Sequence, residues 1–276
     1  MRARHNAGAL AAGVVLVAVL WTLAALSVAA MGLTIWVRGE ARERQADAAR
    51  LRAMALGQSA LVHVLATNPP VTGEGVRRQW RVIMHDTSVS VLWTTAYAAI
   101  DINHAPVDLL QATLEHVGGV PSGVAAQWAA AIVQVRADPA LAGRPAYDAV
   151  EDLLVRPGLP FAVWLSVQYA LTVDSDDPGV DPYAVDDPLL MVLAQGDAAR
   201  AARWAEDRRR AADIDTSPVP AAWLRRSVPT RWRAVARIPA EDGVFELTWI
   251  VEQGAAEVDG FPWRLLRQTL RRVPTN

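Results

Sequence analysis

The first 67 residues carry a continuous helical pattern. Residues 14–37 form 24 consecutive positions without a charged side chain, and strong helix formers without proline continue to residue 67, just before Asn68-Pro69-Pro70. A helix rises about 1.5 Å per residue, so the uncharged stretch would be roughly 36 Å long, which exceeds a hydrocarbon core of about 30 Å. The pattern therefore predicts one helix over residues 14–67, with 14–37 in a membrane and the remainder outside it.

The second half of this helix has apolar residues at steps of three and four, which is typical of a face that packs against a domain. The positions with this spacing are Ala48, Leu51, Ala55, Val62 and Leu65. Gln58 is the one polar residue at a position that the spacing would make apolar.

A removable secretory signal is the alternative interpretation of the N-terminus. Ser27-Val28-Ala29 is similar to the small-residue cleavage site of such signals, whose apolar core is roughly 7–15 residues long. Here the apolar run continues to Trp36, which favours a membrane anchor. Arginines lie on both sides of the run, so the charge rule leaves its orientation open.

Beyond the helix, the pattern predicts strands and then short helices. Residues 80–100 are rich in β-branched and aromatic side chains, which predicts one or two strands. Helical apolar spacing, interrupted by glycine and proline, then recurs in four segments: 106–117, 123–136, 148–156 and 160–173.

The C-terminal region, residues 229–276, switches to a period of two. Apolar and polar side chains alternate over 232–238 and 245–252, on either side of the turn dipeptide Asp242-Gly243, and a third strand is predicted near 263–271. These strands predict an antiparallel sheet with one buried face and one wet, charged face.

A short internal echo joins two parts of the helical middle. Ile100-Asp101-Ile102-Asn103, leading to Leu109-Leu110, aligns eighty positions later with Val180-Asp181-Pro182-Tyr183, leading to Leu189-Leu190. In both copies an extended apolar–Asp step precedes acidic residues and a proline that suit a first helical turn. The match is short, so chance similarity is the alternative.

Charge is divided unevenly along the 276 residues. The net charge of −2 comes from 27 basic residues, all of them arginine, and 29 acidic ones. Residues 1–100 carry +5, residues 101–200 carry −10 and residues 201–276 carry +3. A polybasic nucleic-acid binder is therefore excluded as a description of the whole chain. The absence of cysteine excludes disulfides, zinc–thiolate sites and cysteine nucleophiles.

Catalytic motifs are absent from the sequence. It contains no phosphate loop, no G-x-S-x-G elbow and no H-E-x-x-H helix, and its five histidines are scattered. His104 near Asp101 has the form of a base with its orienting carboxylate, but an ordinary histidine near a helix start is the favoured interpretation. We expect a protein without an enzymatic activity.

An acidic segment, residues 174–181, partly resembles a calcium-binding loop. Asp174 and Asp176 stand at the first and third places and Asp181 at the eighth, but Val185 stands at the twelfth, where a bidentate glutamate is needed. The segment favours a solvated acidic turn, with these three aspartates as weak candidate calcium ligands.

Two other segments, 102–110 and 153–159, are similar to pieces of the helix-hairpin-helix modules that hold DNA phosphates through backbone N–H groups. DNA binding needs a positive surface, and the surrounding region is strongly negative. The hairpins are therefore interpreted as packing devices, and nucleic acid is not an expected partner. A membrane-anchored DNA-uptake protein remains the alternative function.

Four segments, taken in order, resemble the minor pseudopilin K family of bacterial type II secretion systems (general secretion pathway protein K). They are the glycine and aliphatic run from Gly13 to Trp21, the D-I-N-H-A-P element at 101–106 with its following Leu-Leu, the A-V-E-D-L-L element at 149–154 with Pro157-Gly158-Leu159, and Val180-Asp181-Pro182. The combination is more specific than any single motif and extends over most of the chain.

The resemblance implies a prepilin leader that prepilin peptidase cuts between Gly13 and Val14, with Gly8 and Ala9 as the alternative site, followed by N-methylation. It implies an anchor in the inner membrane with a periplasmic C-terminal region. The partners implied are minor pseudopilins I and J, the major pseudopilin and prepilin peptidase. Most pilins carry, at the fifth mature residue, a glutamate that pairs with a neighbouring N-terminus. Here that position is Ala18, or Gly13 for the alternative cleavage site. Members of the K family likewise lack this glutamate, and its absence suits a subunit at the pseudopilus tip that primes assembly.

This chain departs from the family at two places. The stretch corresponding to an acidic loop that binds calcium in some members is 134–139, which is short and poor in carboxylates, and Tyr183 replaces the asparagine expected in the third element. Calcium is therefore doubtful as a cofactor.

These observations predict an α+β fold with a long N-terminal transmembrane helix, a pilin-like α/β domain with an antiparallel sheet, and an inserted all-α domain with helix-hairpin-helix-like elements. The predicted boundaries are leader 1–13, transmembrane helix 14–37, pilin-like helix and first strands 38–100, inserted acidic domain 101–226, and C-terminal sheet 227–276.

Overall fold

A computed structural model describes residues 6–67, 77–141, 143–225, 228–240, 243–254 and 263–273. The chain divides into two compact units, Met1–Ala53 and Met54–Asn276. The surroundings of four candidate processing residues lie outside the described part of the molecule. These residues are Gly8, Ala9, Gly13 and Val14.

Helix α1 runs from Asn6 to Thr67 and has 62 residues. It confirms the predicted continuous helix but begins eight residues before the predicted start at 14. Within the described part of the chain, no helix has the length and apolar character needed to span a bilayer. The membrane segment 14–37 stays a prediction.

The second unit contains a five-stranded antiparallel sheet in the order β1-β2-β5-β6-β7. Its strands are β1 (Arg78–Met84), β2 (Thr87–Thr95), β5 (Arg231–Ala240), β6 (Gly243–Gln253) and β7 (Trp263–Val273). The predicted strands on both sides of the helical segment are confirmed, and they join in one sheet because β2 pairs with β5.

One face of the sheet is covered by the last turns of α1. The buried helix positions are Leu56, Gly57, Ala60, Leu61, Val64 and Leu65. Gly57 permits the close approach, because a Cβ added there would lie 2.9 Å from Leu247 Cδ2. The face predicted from Ala55 and Val62 is wrong, since both are exposed. The error arose because a glycine, which carries no apolar side chain, occupies the centre of the true contact face.

Gln58 has a specific partner at the edge of this contact. Its Nε2 donates to Gln268 Oε1 on β7 at 3.2 Å, and the same oxygen accepts a hydrogen bond from Trp249 Nε1 at 2.9 Å. A polar side chain is tolerated there because its hydrogen-bonding capacity is used.

The other face of the sheet carries the predicted alternating charges, but the expectation of a wet face is wrong. Glu246 is 4% exposed, Val235 is 7% exposed and Ile250 is 4% exposed. The helical segment between β2 and β5 covers this face, and its backbone and carboxylates meet the arginines of the sheet. The period-two alternation of apolar and charged residues identified the two faces of the sheet, but it did not show that the inserted segment covers the charged face.

The described residues of the inserted segment contain six α-helices: α2 (Val107–His116), α3 (Ser122–Arg136), α4 (Asp152–Val155), α5 (Phe161–Val167), α6 (Asp187–Leu193) and α7 (Ala198–Arg209). They enclose an apolar core that includes Leu109, Leu110, Leu153, Leu189 and Leu190. The helices predicted over 106–117 and 123–136 are confirmed, whereas the one predicted over 148–156 is reduced to the single turn 152–155 and the one predicted over 160–173 ends at Val167. Residues 171–172 instead form strand β4 (Leu171–Thr172), which pairs in parallel with β3 (Ile100–Asp101).

The helices are arranged as three hairpins, each turned by a glycine with positive φ. The glycines are Gly119 (φ 64°), Gly158 (φ 70°) and Gly196 (φ 83°). In the first two hairpins the N–H after the glycine donates to the preceding helix, Val120 to Leu114 O and Leu159 to Leu153 O. In the third, the glycine's own N–H donates, from Gly196 to Met191 O. These bonds end each helix and fix the direction of the next.

Candidate functional site: the junction between the inserted helices and the sheet

Asp101 is the buried polar centre of the junction. It is 1% exposed and lies at the end of β3. Its Oδ1 accepts the N–H of Asn103 at 2.8 Å, and its Oδ2 accepts the N–H groups of Ser175 at 3.0 Å and Asp176 at 2.9 Å. The Ser175 hydroxyl lies 3.2 Å from the same oxygen. One carboxylate thus holds the start of α2 to a distant acidic loop.

His104 links the same carboxylate to the surface of that loop. Its Nδ1 lies 3.4 Å from Asp101 Oδ1, and its Nε2 lies 3.4 Å from Asp176 Oδ1. The hydrogen bond with Asp101 raises the pKa of His104 above 6.5, against the lowering that burial alone would cause. Burial would raise the pKa of Asp101, but the hydrogen bonds from His104, Asp176 and Asn103 outweigh it and lower that pKa below 3.8.

The internal echo in the sequence is a structural repeat. Asp181 is also 1% exposed, and its Oδ1 accepts the N–H of Tyr183 at 3.0 Å, as Asp101 does from Asn103. In both copies the aspartate C=O accepts two N–H groups at the following turn: His104 and Ala105 in the first, Ala184 and Val185 in the second. The predicted echo is confirmed at the level of hydrogen bonds.

Each copy also pairs in parallel with a later segment of the chain. Ile100 pairs with Leu171 in the first copy, and Val180 pairs with Leu224 in the second. The second carboxylate oxygen has a different partner in each copy. Asp101 Oδ2 accepts backbone N–H groups, whereas Asp181 Oδ2 lies 3.2 Å from Arg225 Nε. The repeated unit is therefore a strand that ends in a capping aspartate and leads into a helical hairpin.

The acidic loop 174–177 joins this centre to the arginine-rich face of the sheet. Arg267 Nε lies 2.9 Å from Asp174 Oδ1, Arg231 lies 3.3 Å from Asp176 Oδ2, and the Arg231 guanidinium also donates to Asp174 O at 3.3 Å. Burial raises the pKa of Asp174, and Arg267 opposes that rise. The acidic middle and the basic C-terminal part of the sequence thus neutralise each other within one molecule.

The three aspartates that are weak candidate calcium ligands already contact cationic or backbone groups. Asp174 meets Arg267, Asp176 meets His104 and Arg231, and Asp181 meets Arg225. Among the described residues, no group of three or more acidic or histidine side chains is arranged to hold a metal ion. The geometry gives no support to calcium at this loop.

The helix-hairpin-helix-like segments fold as hairpins, as the sequence predicts. Their post-turn N–H groups at Val120 and Leu159 donate to helix carbonyls 3.1 and 2.8 Å away. Nearby charges include Asp108, Glu151 and Asp152. These features agree with the interpretation of the hairpins as packing devices.

The sheet arginines that meet the insert were not among the sequence-predicted site residues. Arg231 and Arg267 stand at alternating strand positions, opposite Glu252 and Ile250 in the register. Alternation with apolar residues was the available signal, but it was interpreted as a solvated face because the acidic partners are about sixty to ninety residues away in sequence.

The pH dependence of stability should contain a contribution from His104. Its pKa is raised in the folded chain, so its stabilisation is fully present below about pH 6.5 and is lost as the pH rises through the folded-state pKa. Urea unfolding of the wild type and of His104→Gln, from about pH 5.5 to 8.5, should give a difference in unfolding free energy that shrinks with rising pH. A difference that is constant or grows with pH would contradict this role.

A double-mutant cycle on Arg267 and Asp174 should detect the attraction between insert and sheet. Arg267→Gln and Asp174→Asn should show a coupling of about 1 kcal/mol, reduced from a fully buried pair because Arg267 is partly solvent-screened. The exposed pair Glu206 and Arg209 on α7 is the matched control, with little coupling expected. Equal coupling energies in both cycles would show that the pair of Arg267 and Asp174 contributes no more to stability than an exposed pair does.

Comparisons with known proteins give two matching chains among solved structures. No family model and no curated protein matches this chain. A chain from the crystal structure of the GspK-GspI-GspJ complex of the enterotoxigenic Escherichia coli type 2 secretion system matches over 86% of this chain and 99% of that chain, with 14% identity and a TM-score of 0.49.

Proposed function

We propose that the chain is a minor pseudopilin of a type II secretion system that lies at the pseudopilus tip and primes its assembly. One observation carries the proposal: the end of a 62-residue N-terminal helix packs on an antiparallel sheet whose strands come from both sides of a helical insert. This is the arrangement that the sequence resemblance implies. The order of the family-like motifs at Gly13, Asp101, Ala149 and Val180 supports it further.

The proposed role is structural and involves no reaction. In this proposal residues 14–37 anchor the chain in the inner membrane, prepilin peptidase removes the leader, and the C-terminal region lies in the periplasm. Ala18 offers no carboxylate to the N-terminus of another subunit, so subunits would add on one side only. The charge pairing between insert and sheet supports a self-contained domain that needs neither disulfides nor nucleic acid.

The partner proposal is tested by co-purification of the full chain. The tagged chain should retain minor pseudopilins I and J from detergent-solubilised membranes after co-expression of all three. The tagged major pseudopilin, expressed at the same level with I and J, is the matched control and should retain less of both. Recovery of a folded chain without I or J would remove the support for a tip role.

A further inference from the structure

A polar cavity of about 150 Å³ lies between the charged face of the sheet and the inserted segment. Its walls come from β2, β5, β6 and β7 on one side and from residues 96–99, 169–172 and 184–186 on the other. The charged side chains that line it are Arg77, Arg233, Arg237, Arg271, Asp186 and Glu246. Four guanidinium groups and two carboxylates leave this cavity with an excess of positive charge.

Three of the four arginines have carboxylate partners. Arg77 lies 2.5 Å from Asp186 Oδ1, Arg237 Nε lies 2.8 Å from Glu246 Oε1, and Arg271 Nε donates to Glu246 Oε2 at 2.8 Å. Both carboxylates of the cavity are therefore already engaged.

Arg233 is the exception. It is the third residue of β5, and no described residue makes a hydrogen bond or an ion pair with its guanidinium. Glu246, Asp174 and Asp186 act on it only through their charge. Burial, with repulsion from Arg271, lowers the pKa of Arg233 against the effect of those three carboxylates. Arg233 is half-buried and lines the cavity, so its donors are available there to an acceptor that no described residue supplies.

We propose that this cavity binds a small inorganic oxyanion, phosphate or sulfate, with Arg233 as its principal ligand. A tetrahedral oxyanion offers paired oxygens to the planar fork of an arginine and would offset the excess positive charge. The volume accommodates such an ion with water. Thr94 and Thr172 also line the cavity, and the Thr172 hydroxyl already accepts the N–H of Asp174 at 3.2 Å, which leaves its proton available to an anion.

The bound anion would strengthen the contact between insert and sheet. Arg233 and Arg271 come from the sheet, whereas Thr172 comes from β4 of the insert. A ligand that contacts both sides stabilises the folded chain through mass action. The inference does not depend on the pseudopilin proposal, because it rests on this cavity alone.

The test is equilibrium dialysis of the purified full-length chain in detergent, with radiolabelled phosphate. We expect one phosphate per chain, competition by sulfate, and no competition by chloride at the same ionic strength. Arg233→Gln should weaken binding at least tenfold. Arg81→Gln, which removes an exposed arginine on β1, is the matched control and should bind as the wild type does.

A second variant keeps the proposal testable if Arg233→Gln does not fold. Arg237→Gln removes one positive charge at the more exposed side of the cavity and should weaken phosphate binding several-fold. At ten times Kd, phosphate should also raise the Tm of the wild type by about 3–5 °C. Failure of the wild type to bind phosphate at 10 mM, or undiminished binding in both variants, would overturn the proposal and indicate a cavity filled by water.

Discussion

Asp101→Ala should destabilise the folded chain by about 3–5 kcal/mol. The substitution leaves the N–H groups of Asn103, Ser175 and Asp176 without their acceptor in a buried site, and it leaves His104 without its main partner. Each unsatisfied buried donor costs about 1–3 kcal/mol, and breaking a buried charge pair costs about 3–5 kcal/mol. Urea unfolding followed by circular dichroism measures the loss.

The matched control for this prediction is Asp213→Ala. Asp213 is an exposed aspartate in the same inserted segment, and its removal should leave the unfolding free energy almost unchanged. If Asp101→Ala were as stable as Asp213→Ala, the carboxylate would not be the centre that joins β3 to the acidic loop.

Gly179→Ala should be the second large effect, at about 3 kcal/mol. A Cβ at this buried position would lie 2.3 Å from the carbonyl carbon of Leu224 and 2.5 Å from the backbone N of Arg225. That backbone pairs with Val180 through hydrogen bonds of 2.9 and 3.0 Å, so the methyl group can be accommodated only by separating the two segments. The measurement is again urea unfolding.

Gly123→Ala is the control for the glycine substitution. Gly123 lies in α3 with no atom within 4 Å of an added Cβ, and alanine is the better helix former. We expect a stability gain of up to about 1 kcal/mol. A loss at Gly123 comparable with that at Gly179 would mean that the close approach at Leu224 is not the cause.

The elements with local signals were predictable from the sequence. Strands β1 and β2 and the C-terminal strands follow from β-branched residues and period-two alternation, and the hairpins follow from glycine and proline between apolar helices. The turn between β1 and β2 was not predicted, and His85 and Asp86 take positive φ angles of 47° and 64° there. The aspartate echo was also predictable, because Asp101 and Asp181 each accept the N–H two residues later, and this turn requires the same residue type in the same place.

Elements that depend on contacts with residues distant in the sequence were not predictable. Helix α7 has a mean hydropathy too low to be recognised, and its buried residues are Ala201, Trp204 and Ala205. Strands β3 and β4 have two residues each and pair across about seventy positions. The face of α1 was misassigned because Gly57 packs through its lack of a side chain. In each case tertiary contact overrides the local pattern.

The charge division acquires a physical meaning from the structure. The −10 of residues 101–200 was interpreted from the sequence as a barrier to DNA binding. The described contacts add that two of its carboxylates, Asp176 and Asp174, are paired at close range with Arg231 and Arg267 of the sheet. A single polar junction thus organises the insert, and Asp101, Asp174 and Asp176 are its main carboxylates.

N-terminal processing is the property that most clearly separates a pseudopilin from other anchored proteins. The full-length chain should be co-expressed with prepilin peptidase and its N-terminus determined by intact-mass spectrometry. We expect removal of 13 residues, or of 8 if Gly8 is the site, with a methylated new terminus, and Gly13→Val should abolish the first of these cuts. Cleavage by signal peptidase near Ala29 instead, or an unprocessed chain beside a processed major pseudopilin, would contradict the pseudopilin proposal.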